Sequence, residues 1–200
     1  LTARMIDRPI RPLFGKGFMN ELQLVAIVIS SDSENDSDIL AMIGASTALT
    51  ISDIPFDGPI AAVRVGRMDG EFVLNPTFKE LESSDLDLVV AGNRSSVLMV
   101  ESGSKELPED TLLDAIKFGH KEMQVLIDLQ EEMAAACGKK KREIALRDVD
   151  ADLLKSVRSA SVAKLDGINR LDTKEQREEA MDLLLKELIE KLATEDSEIS

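Results

Sequence analysis

Apolar residues occur in blocks along the chain, and the spacing within each block predicts a type of element. The first block, LQLVAIVIS at 22–30, is almost wholly apolar and rich in β-branched residues, which predicts a buried strand. The polar stretch SDSENDSD that follows it is typical of a loop. Its last residue, Asp38, is placed to cap a helix over 39–52, where small residues allow close packing against a sheet.

Two β-hairpins are predicted in the middle of the chain. The segments AAVRVGRM and EFVL flank Asp69-Gly70, a dipeptide that favours a type I′ turn because both central residues need a positive φ. A short helix is predicted around PTFKELESS. The segments LDLVVAG and SVLMVES then form the second hairpin, with Asn93 near its turn.

A long helix is predicted after the second hairpin. Pro108 suits a first helical turn, and Glu109 and Asp110 lie at the end of the helix dipole that favours acidic residues. Apolar periodicity continues from there to Gly138. Strands and helices thus mix over 1–138, with hairpins that imply a mixed or largely antiparallel sheet, and the predicted class is α+β.

The remainder, 139–200, is predicted to be a small all-helical domain. It begins with KKKRE at 139–143, a charged joint, and has no strand pattern beyond it. Helices are predicted over 151–165 and 173–194. The second opens with Thr173 and Gln176, the spacing of a capping box.

The charge is unevenly distributed. The 200 residues include 24 basic and 38 acidic side chains, a net charge of −14, which argues against an independent RNA-binding module. The single cysteine, Cys137, excludes an internal disulfide and fits a reducing compartment. No apolar run approaches the roughly 18 to 20 residues that span a bilayer. The six aromatic residues are all Phe, few for stacking on single-stranded nucleic acid.

The clearest basic cluster lies in LTARMIDRPIRPLF. Arg4, Arg8 and Arg11 are spaced to share one helix face, and Pro9 and Pro12 are predicted to end that helix. Arginine offers a planar fork of donors that suits phosphate oxygens. The alternative is that Asp7 and other carboxylates simply neutralise these arginines, and the spacing alone does not decide between the two.

Other candidate residues give weaker signals. The basic run at 139–142 either touches RNA or is a solvated joint. His120 has no Cys or His near it in sequence, so a packing or surface role is favoured over metal binding. Cys137 is interpreted as a structural or exposed thiol rather than a reactive one.

Several stretches resemble the polynucleotide phosphorylases. TARMIDRPIRPLF is very similar to a signature of that family. DILAMIGASTALTISDIPFDGPIAAVRVG, EFVLNPT, SSDLDLVVAG and VLMVES follow in the family's order, so that the resemblance covers essentially all of 1–138. The region 139–200 matches weakly in sequence, but its position and helical character fit the helical domain that joins the family's two ribonuclease-PH-like cores.

The resemblance implies a phosphorolytic 3′-to-5′ exoribonuclease. Members of the family form a homotrimeric ring, thread single-stranded RNA through its channel, and use inorganic phosphate and Mg²⁺ to release nucleoside diphosphates during RNA degradation. The chain is then expected to be a fragment of a cytoplasmic enzyme, comprising part of the first core and the helical domain. Arg4, Arg8 and Arg11 are expected to line the RNA path.

The resemblance also implies that this segment has no catalytic residues. The family's catalytic second core carries G-D-M-D-F-K-V-A-G, and here Asp87 keeps the second carboxylate while Val89 replaces the lysine and Leu81 replaces a further acidic residue. One Asp beside Leu and Val is a poor Mg²⁺ site, so Mg²⁺ is expected in the second core, outside this segment, and no metal is expected here. Asp87 is interpreted as a structural residue.

Two other functions compete with this one. The chain is either a degenerate core kept only for assembly, without direct RNA contact, or, less favoured because the catalytic motif is broken, an independent exonuclease. If it is a fragment, the strands that would cover 22–29 are missing, so that this apolar run is expected to be exposed and to cause self-association or a loosened fold.

Overall fold

The computed structural model describes residues 1–145 and 149–192, and the chain divides into two compact units, Leu1–Leu146 and Arg147–Ser200. The first unit is α+β and the second is helical, as the sequence predicts. The first unit extends past the predicted boundary at 138, because the basic run that follows Gly138 is bound to it.

Four strands of the first unit form one antiparallel sheet in the order β2-β1-β3-β4. They are β1 (Ala61–Met68), β2 (Glu71–Leu74), β3 (Leu86–Gly92) and β4 (Val97–Ser104). Both predicted hairpins are confirmed, and every strand pair within the described residues is antiparallel rather than mixed. Asp69 and Gly70 have φ values of 51° and 88°, as a type I′ turn requires.

Helices cover both faces of this sheet. They are α1 (Thr2–Ile10), α2 (Asp38–Ile51), α3 (Phe78–Ser83), α4 (Glu109–Glu122) and α5 (Gln124–Cys137). Residues from α4 and α5 form one core with the face that bears Val63, Leu88 and Val90, while α1 and α2 form another with the face that bears Val89 and Ala91. A strand covered on both faces needs no polar side, so Ala61–Gly66 is buried without alternation.

The long helix predicted up to Gly138 is two helices. The chain breaks at Met123, between α4 and α5, and this side chain is fully buried in the core. Gly119 lets α4 lie directly on the sheet, because a Cβ there would come within 3.1–3.3 Å of methyl groups of Val63, Val65 and Val90. Packing on the sheet therefore interrupts the helix, although the apolar periodicity of the sequence is continuous.

Two local predictions at the N-terminal side are wrong. Pro9 does not end α1, which runs to Ile10 and continues as a 3₁₀ turn over Arg11–Leu13. Proline lacks the N–H group that would bond to the carbonyl oxygen four residues earlier, so one helical hydrogen bond is missing. Burial of Pro9 and Ile10 against the core offsets that loss. Asp38 is the first residue of α2 rather than its cap, and Ser37 occupies the cap position without a side-chain hydrogen bond.

The largest correction concerns 22–30, which is not a buried strand. The segment has no regular secondary structure and pairs with no strand in the described residues, and Val25, Ile27 and Ile29 are 71%, 77% and 94% exposed. A β-branched apolar run forms a strand only where a neighbouring backbone satisfies its N–H and C=O groups. The expected exposure of this run is confirmed, and its self-association stays a prediction.

The second unit contains α6 (Ala151–Asn169) and α7 (Lys174–Leu192). Asp150 caps α6, and Thr173 and Gln176 form the predicted capping box at the start of α7. The predicted end of the second helix at 193–194 lies outside the described residues. Among the described helices, none is both long enough and apolar enough to cross a membrane.

Candidate functional site

The exposed face of α1 presents the three predicted arginines. Arg4, Arg8 and Arg11 are all exposed, while Met5, Pro9 and Ile10 on the opposite side of the helix are buried. This division follows from the amphipathic spacing of the segment, because the apolar positions recur on the side that packs against the sheet and α2. The predicted arginine face is therefore present.

Two of the three arginines are bound by carboxylates. Arg8 Nη1 lies 2.5 Å from Glu101 Oε2 on β4, and Arg11 donates through Nε and Nη2 to both carboxylate oxygens of Asp7 at 2.7–3.2 Å. The hydrogen bond with Asp7 raises the pKa of Arg11 further above its usual value. Within the part of the chain that the structure describes, the side chain of Arg4 has no hydrogen-bond or ion-pair partner. The five side chains together carry one net positive charge.

An open groove of about 700 Å³, lined by polar and apolar atoms in similar amounts, adjoins this face. It runs between α1 and the segment 18–26, with Phe14 and Phe18 at one end, their ring centroids 4.9 Å apart. Arg11 and Asp7 stand at its polar edge. The arginine face thus lies beside an open groove of mixed polarity rather than inside a closed pocket.

A second arginine cluster, which we call the Arg64 cluster, consists of Arg64, Asp36, Asp38 and Asp87. Arg64 projects from β1 and is 9% exposed. Its Nη2 lies 2.6 Å from Asp38 Oδ2 and 3.1 Å from Asp36 Oδ2, and its Nη1 lies 2.6 Å from Asp87 Oδ1. One guanidinium therefore joins the start of α2, the loop before it and β3.

Burial and ion pairing have opposing effects on the pKa values of the Arg64 cluster. Burial raises the pKa of Asp38, and the nearby charge of Arg64 only partly opposes this. Burial likewise disfavours the charged form of Arg64, but the three carboxylates outweigh it and raise the pKa of Arg64. The guanidinium stays charged, and Asp38 depends on it as its counter-ion.

The Arg64 cluster and its neighbours occupy the position of the degenerate catalytic motif. Asp87 is the second residue of β3 and is bonded to Arg64, as the structural interpretation of this residue expects. Val89 is buried against Met5 of α1, and Leu81 lies on α3. A carboxylate already bonded to a guanidinium, with apolar side chains in place of further oxygens, does not fit Mg²⁺. Within residues 1–145 and 149–192, no group of His, Cys, Asp and Glu is arranged to hold a metal ion.

The basic run at 139–142 is only in part the solvated joint that the sequence suggests. Lys141 Nζ donates to the carbonyl oxygens of Leu49, Thr50 and Ser52 at 2.8–3.0 Å, so that it caps the C-terminal end of α2. Arg142 Nε lies 2.6 Å from Asp53 Oδ2. Lys139 and Lys140 remain exposed. Two of the four cations thus anchor the segment to the first unit.

The two remaining candidates have structural surroundings. His120 Nε2 lies 3.0 Å from the carbonyl oxygen of Asn93, so the ring contacts the turn of the second hairpin. Cys137 is exposed at the end of α5, with its sulfur 3.2 Å from the carbonyl oxygen of Met133. Neither lies in a cluster of metal-binding or nucleophilic side chains within the described part of the chain.

Sequence reasoning missed the Arg64 cluster and the role of Lys141. An arginine inside the apolar segment AAVRV was a usable signal, since a buried arginine needs carboxylates nearby. No comparable signal pointed to Lys141, because its three acceptors are backbone carbonyls about 90 residues away.

Comparison with known families divides the first unit into two adjacent matches. Residues 1–55 match the 3′ exoribonuclease family, domain 1, and residues 58–122 match the 3′ exoribonuclease family, domain 2. The two matches together cover more than half of the chain. They meet between α2 and β1, so the second match contains the whole four-stranded sheet.

Individual relatives match both units. The polyribonucleotide nucleotidyltransferase of Bacillus cereus (strain G9842) is 48% identical over 198 residues, which is 99% of this chain and 28% of that protein. The polyribonucleotide nucleotidyltransferase of Shouchella clausii (strain KSM-K16) is 47% identical over 197 residues, 98% of this chain and 28% of that protein. A solved structure of rice (Oryza sativa) Rrp46 is 16% identical and covers 50% of this chain and 48% of its own, with a TM-score of 0.45.

The chain thus spans about a quarter of the length of the bacterial relatives it matches. Its two family matches are consecutive domains of one family, and its relatives share a single description. The chain belongs to the 3′ exoribonuclease family, in the branch of the bacterial polyribonucleotide nucleotidyltransferases.

Proposed function

We propose that this chain is part of a polyribonucleotide nucleotidyltransferase that degrades RNA from its 3′ end by phosphate attack and releases nucleoside diphosphates. The observation that carries the proposal is the 48% identity maintained over 198 residues. That similarity includes the helical unit, which lies beyond the family match ending at residue 122. A likeness limited to the sheet would support only a shared fold.

Within that enzyme, this segment serves as the first, non-catalytic core. Asp87 is engaged by Arg64 and Val89 is buried, so these residues offer phosphate and Mg²⁺ no ligand set. Mg²⁺ and the reacting phosphate belong to a second core outside the segment. The expected partners of the whole enzyme are single-stranded RNA, inorganic phosphate and two further copies in a homotrimer, and its expected location is the cytoplasm.

The segment contributes to RNA binding through the arginine face of α1. Arg4 is exposed and has no side-chain partner in the described residues, and the exposed ion pairs of Arg8 and Arg11 are the kind that phosphate can replace at little cost. Most of the chain is acidic, so this face is the natural place for an RNA backbone to approach. Exposed apolar residues at 22–29 fit a surface that other parts of the whole enzyme cover.

The second candidate is an assembly module without RNA contact. This candidate is favoured by the carboxylate partners of Arg8 and Arg11, because both arginines form ordinary surface ion pairs. The two candidates differ in what removal of an arginine does to RNA affinity.

RNA affinity measured across a salt series decides between them. In the full-length gene product, Arg4→Ala, Arg8→Ala or Arg11→Ala should reduce the slope of log affinity against log salt by about 0.7 for each phosphate that the arginine binds. Arg4→Ala should have the largest effect, because Arg4 has no side-chain partner to release among the described residues. Arg94→Ala is the matched control, since Arg94 is exposed and paired with Asp128 and Glu131.

Unaltered slopes for all three α1 variants would support the assembly module instead. Lowered melting temperatures with unaltered slopes would show that the arginines only form structural ion pairs. The 200-residue chain itself should release no nucleoside diphosphate from poly(A) with phosphate and Mg²⁺, and release from pure protein would refute its non-catalytic assignment.

A further inference from the structure

Glu101 holds one arginine of the α1 face by a contact between distant parts of the chain. Arg8 Nη1 and Glu101 Oε2 are 2.5 Å apart, and the two side chains are 45% and 43% exposed. Arg8 Nη2 also lies 3.5 Å from the carbonyl oxygen of Val100, the residue before Glu101 on β4. The guanidinium is therefore turned toward β4.

Because of this contact, a phosphate group would have to compete with Glu101 for Arg8. A guanidinium donates through planar N–H groups, and the group that faces Glu101 is the kind that also fits a phosphate oxygen. Phosphate bound at that edge of Arg8 would have to displace the carboxylate or lie beside its negative charge. Both outcomes weaken the contribution of Arg8 to RNA affinity.

The carboxylate of Glu101 also lies close to the Arg64 cluster. Glu101 and Asp87 line the same shallow depression of about 170 Å³, together with Arg64. The positive charge of Arg64 is already matched by three carboxylates, so the depression repels an anion. Arg4, in contrast, is exposed and has no side-chain partner in the described residues.

We propose that Glu101 is a positioning residue that competes with RNA phosphate for Arg8 and so limits the affinity of the arginine face. The inference rests on the proposed function, because it requires that RNA passes this face. An enzyme that shortens RNA must release and rebind phosphates as the strand advances, and a contact that a carboxylate readily replaces suits that movement. An exposed ion pair of this kind corresponds to roughly a one-and-a-half- to fivefold effect on affinity.

The test compares Glu101→Gln with a matched control in the full-length gene product. Glutamine keeps the shape of the side chain and removes the charge that holds Arg8. Glu131→Gln removes the same charge from another exposed ion pair, that of Arg94 and Glu131. The affinity for single-stranded RNA is measured over a salt series for both variants, for Glu101→Gln combined with Arg8→Ala, and for Arg4→Ala.

Glu101→Gln should raise RNA affinity by roughly one and a half to fivefold and steepen the salt slope by up to about 0.7. Glu131→Gln should leave both unchanged, and the gain should vanish in the Glu101→Gln, Arg8→Ala double variant, because Glu101 acts through Arg8. An equal gain in Glu131→Gln, a gain that persists without Arg8, or no gain at all would overturn the inference.

The two proposals fail in different ways. If Arg4→Ala lowers RNA affinity while Glu101→Gln changes nothing, RNA passes the face and Glu101 does not compete for Arg8. If Arg4→Ala also changes nothing, the RNA contact itself is refuted. Glu101→Asp provides a second variant that keeps the charge on a shorter side chain, and its gain should be smaller than that of Glu101→Gln.

Discussion

The two arginine clusters of the first unit use the same side chain in opposite surroundings. Arg64 is buried on a central strand and joins three elements through Asp36, Asp38 and Asp87. The arginines of α1 are exposed, and their carboxylate partners are exposed as well. A buried charge cannot lose its partner without a large desolvation cost, whereas an exposed charge exchanges its partner for water or another anion.

That difference in burial divides the arginines of the first unit into those that stabilise the fold and those that stay exposed. The Arg64 cluster fixes the region where the family's catalytic motif would lie, and its guanidinium is already held by three carboxylates. The α1 face retains exposed cations that are free, or readily freed, for an external anion. Burial, rather than residue type, therefore decides which arginines are open to an external anion.

Removal of Arg64 should have the largest effect. Arg64→Ala leaves Asp38, which is 6% exposed, as a buried carboxylate without its counter-ion, and should lower the free energy of unfolding by about 3–5 kcal/mol. Urea denaturation of the 200-residue chain at pH 7 measures the loss. Arg64→Met combined with Asp38→Asn should recover much of it, and a double variant as unstable as Arg64→Ala would show that the unpaired charge is not the cause.

Lys141 is an intermediate case and should have an intermediate effect. Lys141→Met removes three hydrogen bonds to the end of α2 and should cost about 1–2 kcal/mol, near the low end for hydrogen bonds to a charged group because the side chain is only half-buried. The segment after Gly138 should also be cleaved faster by chymotrypsin. Lys140→Met is the control, and equal effects of the two variants would contradict the anchoring role.

Removal of an exposed arginine should have a small effect on stability. Arg11→Ala should leave the free energy of unfolding almost unchanged, because the side chains of Arg11 and Asp7 are 77% and 51% exposed. The difference from the wild type should shrink further as the salt concentration rises. A loss comparable to that of Arg64→Ala would erase the contrast between the two clusters.

The effect of pH on stability should have opposite signs for the buried Asp38 of the Arg64 cluster and for the exposed Asp32. The folded-state pKa of Asp38 is raised by burial above its unfolded value, so the folded state binds more protons and its stability falls as the pH rises through that interval. Asp32, in the exposed loop before α2, is the opposite case: hydrogen bonds from the backbone N–H groups of Asn35 and Glu34 lower its pKa to about 2.

These signs can be measured by denaturation between pH 2 and pH 7. Asp38→Asn should remove the decline in stability that begins near the usual Asp pKa of about 4. Asp32→Asn should remove a contribution that is present above about pH 4 and is lost as the pH falls through about 2. Identical profiles for the two variants would contradict the assigned surroundings.

The sequence by itself determined the elements whose signals are local. The Asp69-Gly70 turn, the strands around it, the capping box at Thr173 and the amphipathic α1 all follow from neighbouring residues, because turn dihedrals, helix caps and face periodicity are short-range effects. The arginine face was predictable for the same reason.

Only the tertiary structure decided which partners those residues meet. The run at 22–30 has strand composition but no neighbouring backbone to pair with in the described residues, and the helix predicted through Met123 is broken by packing on the sheet. Asp38 and Arg64 are 26 residues apart, Arg8 and Glu101 93, and Lys141 and Leu49 92. Burial and ion pairing across such separations depend on how the chain packs, which local sequence patterns do not encode.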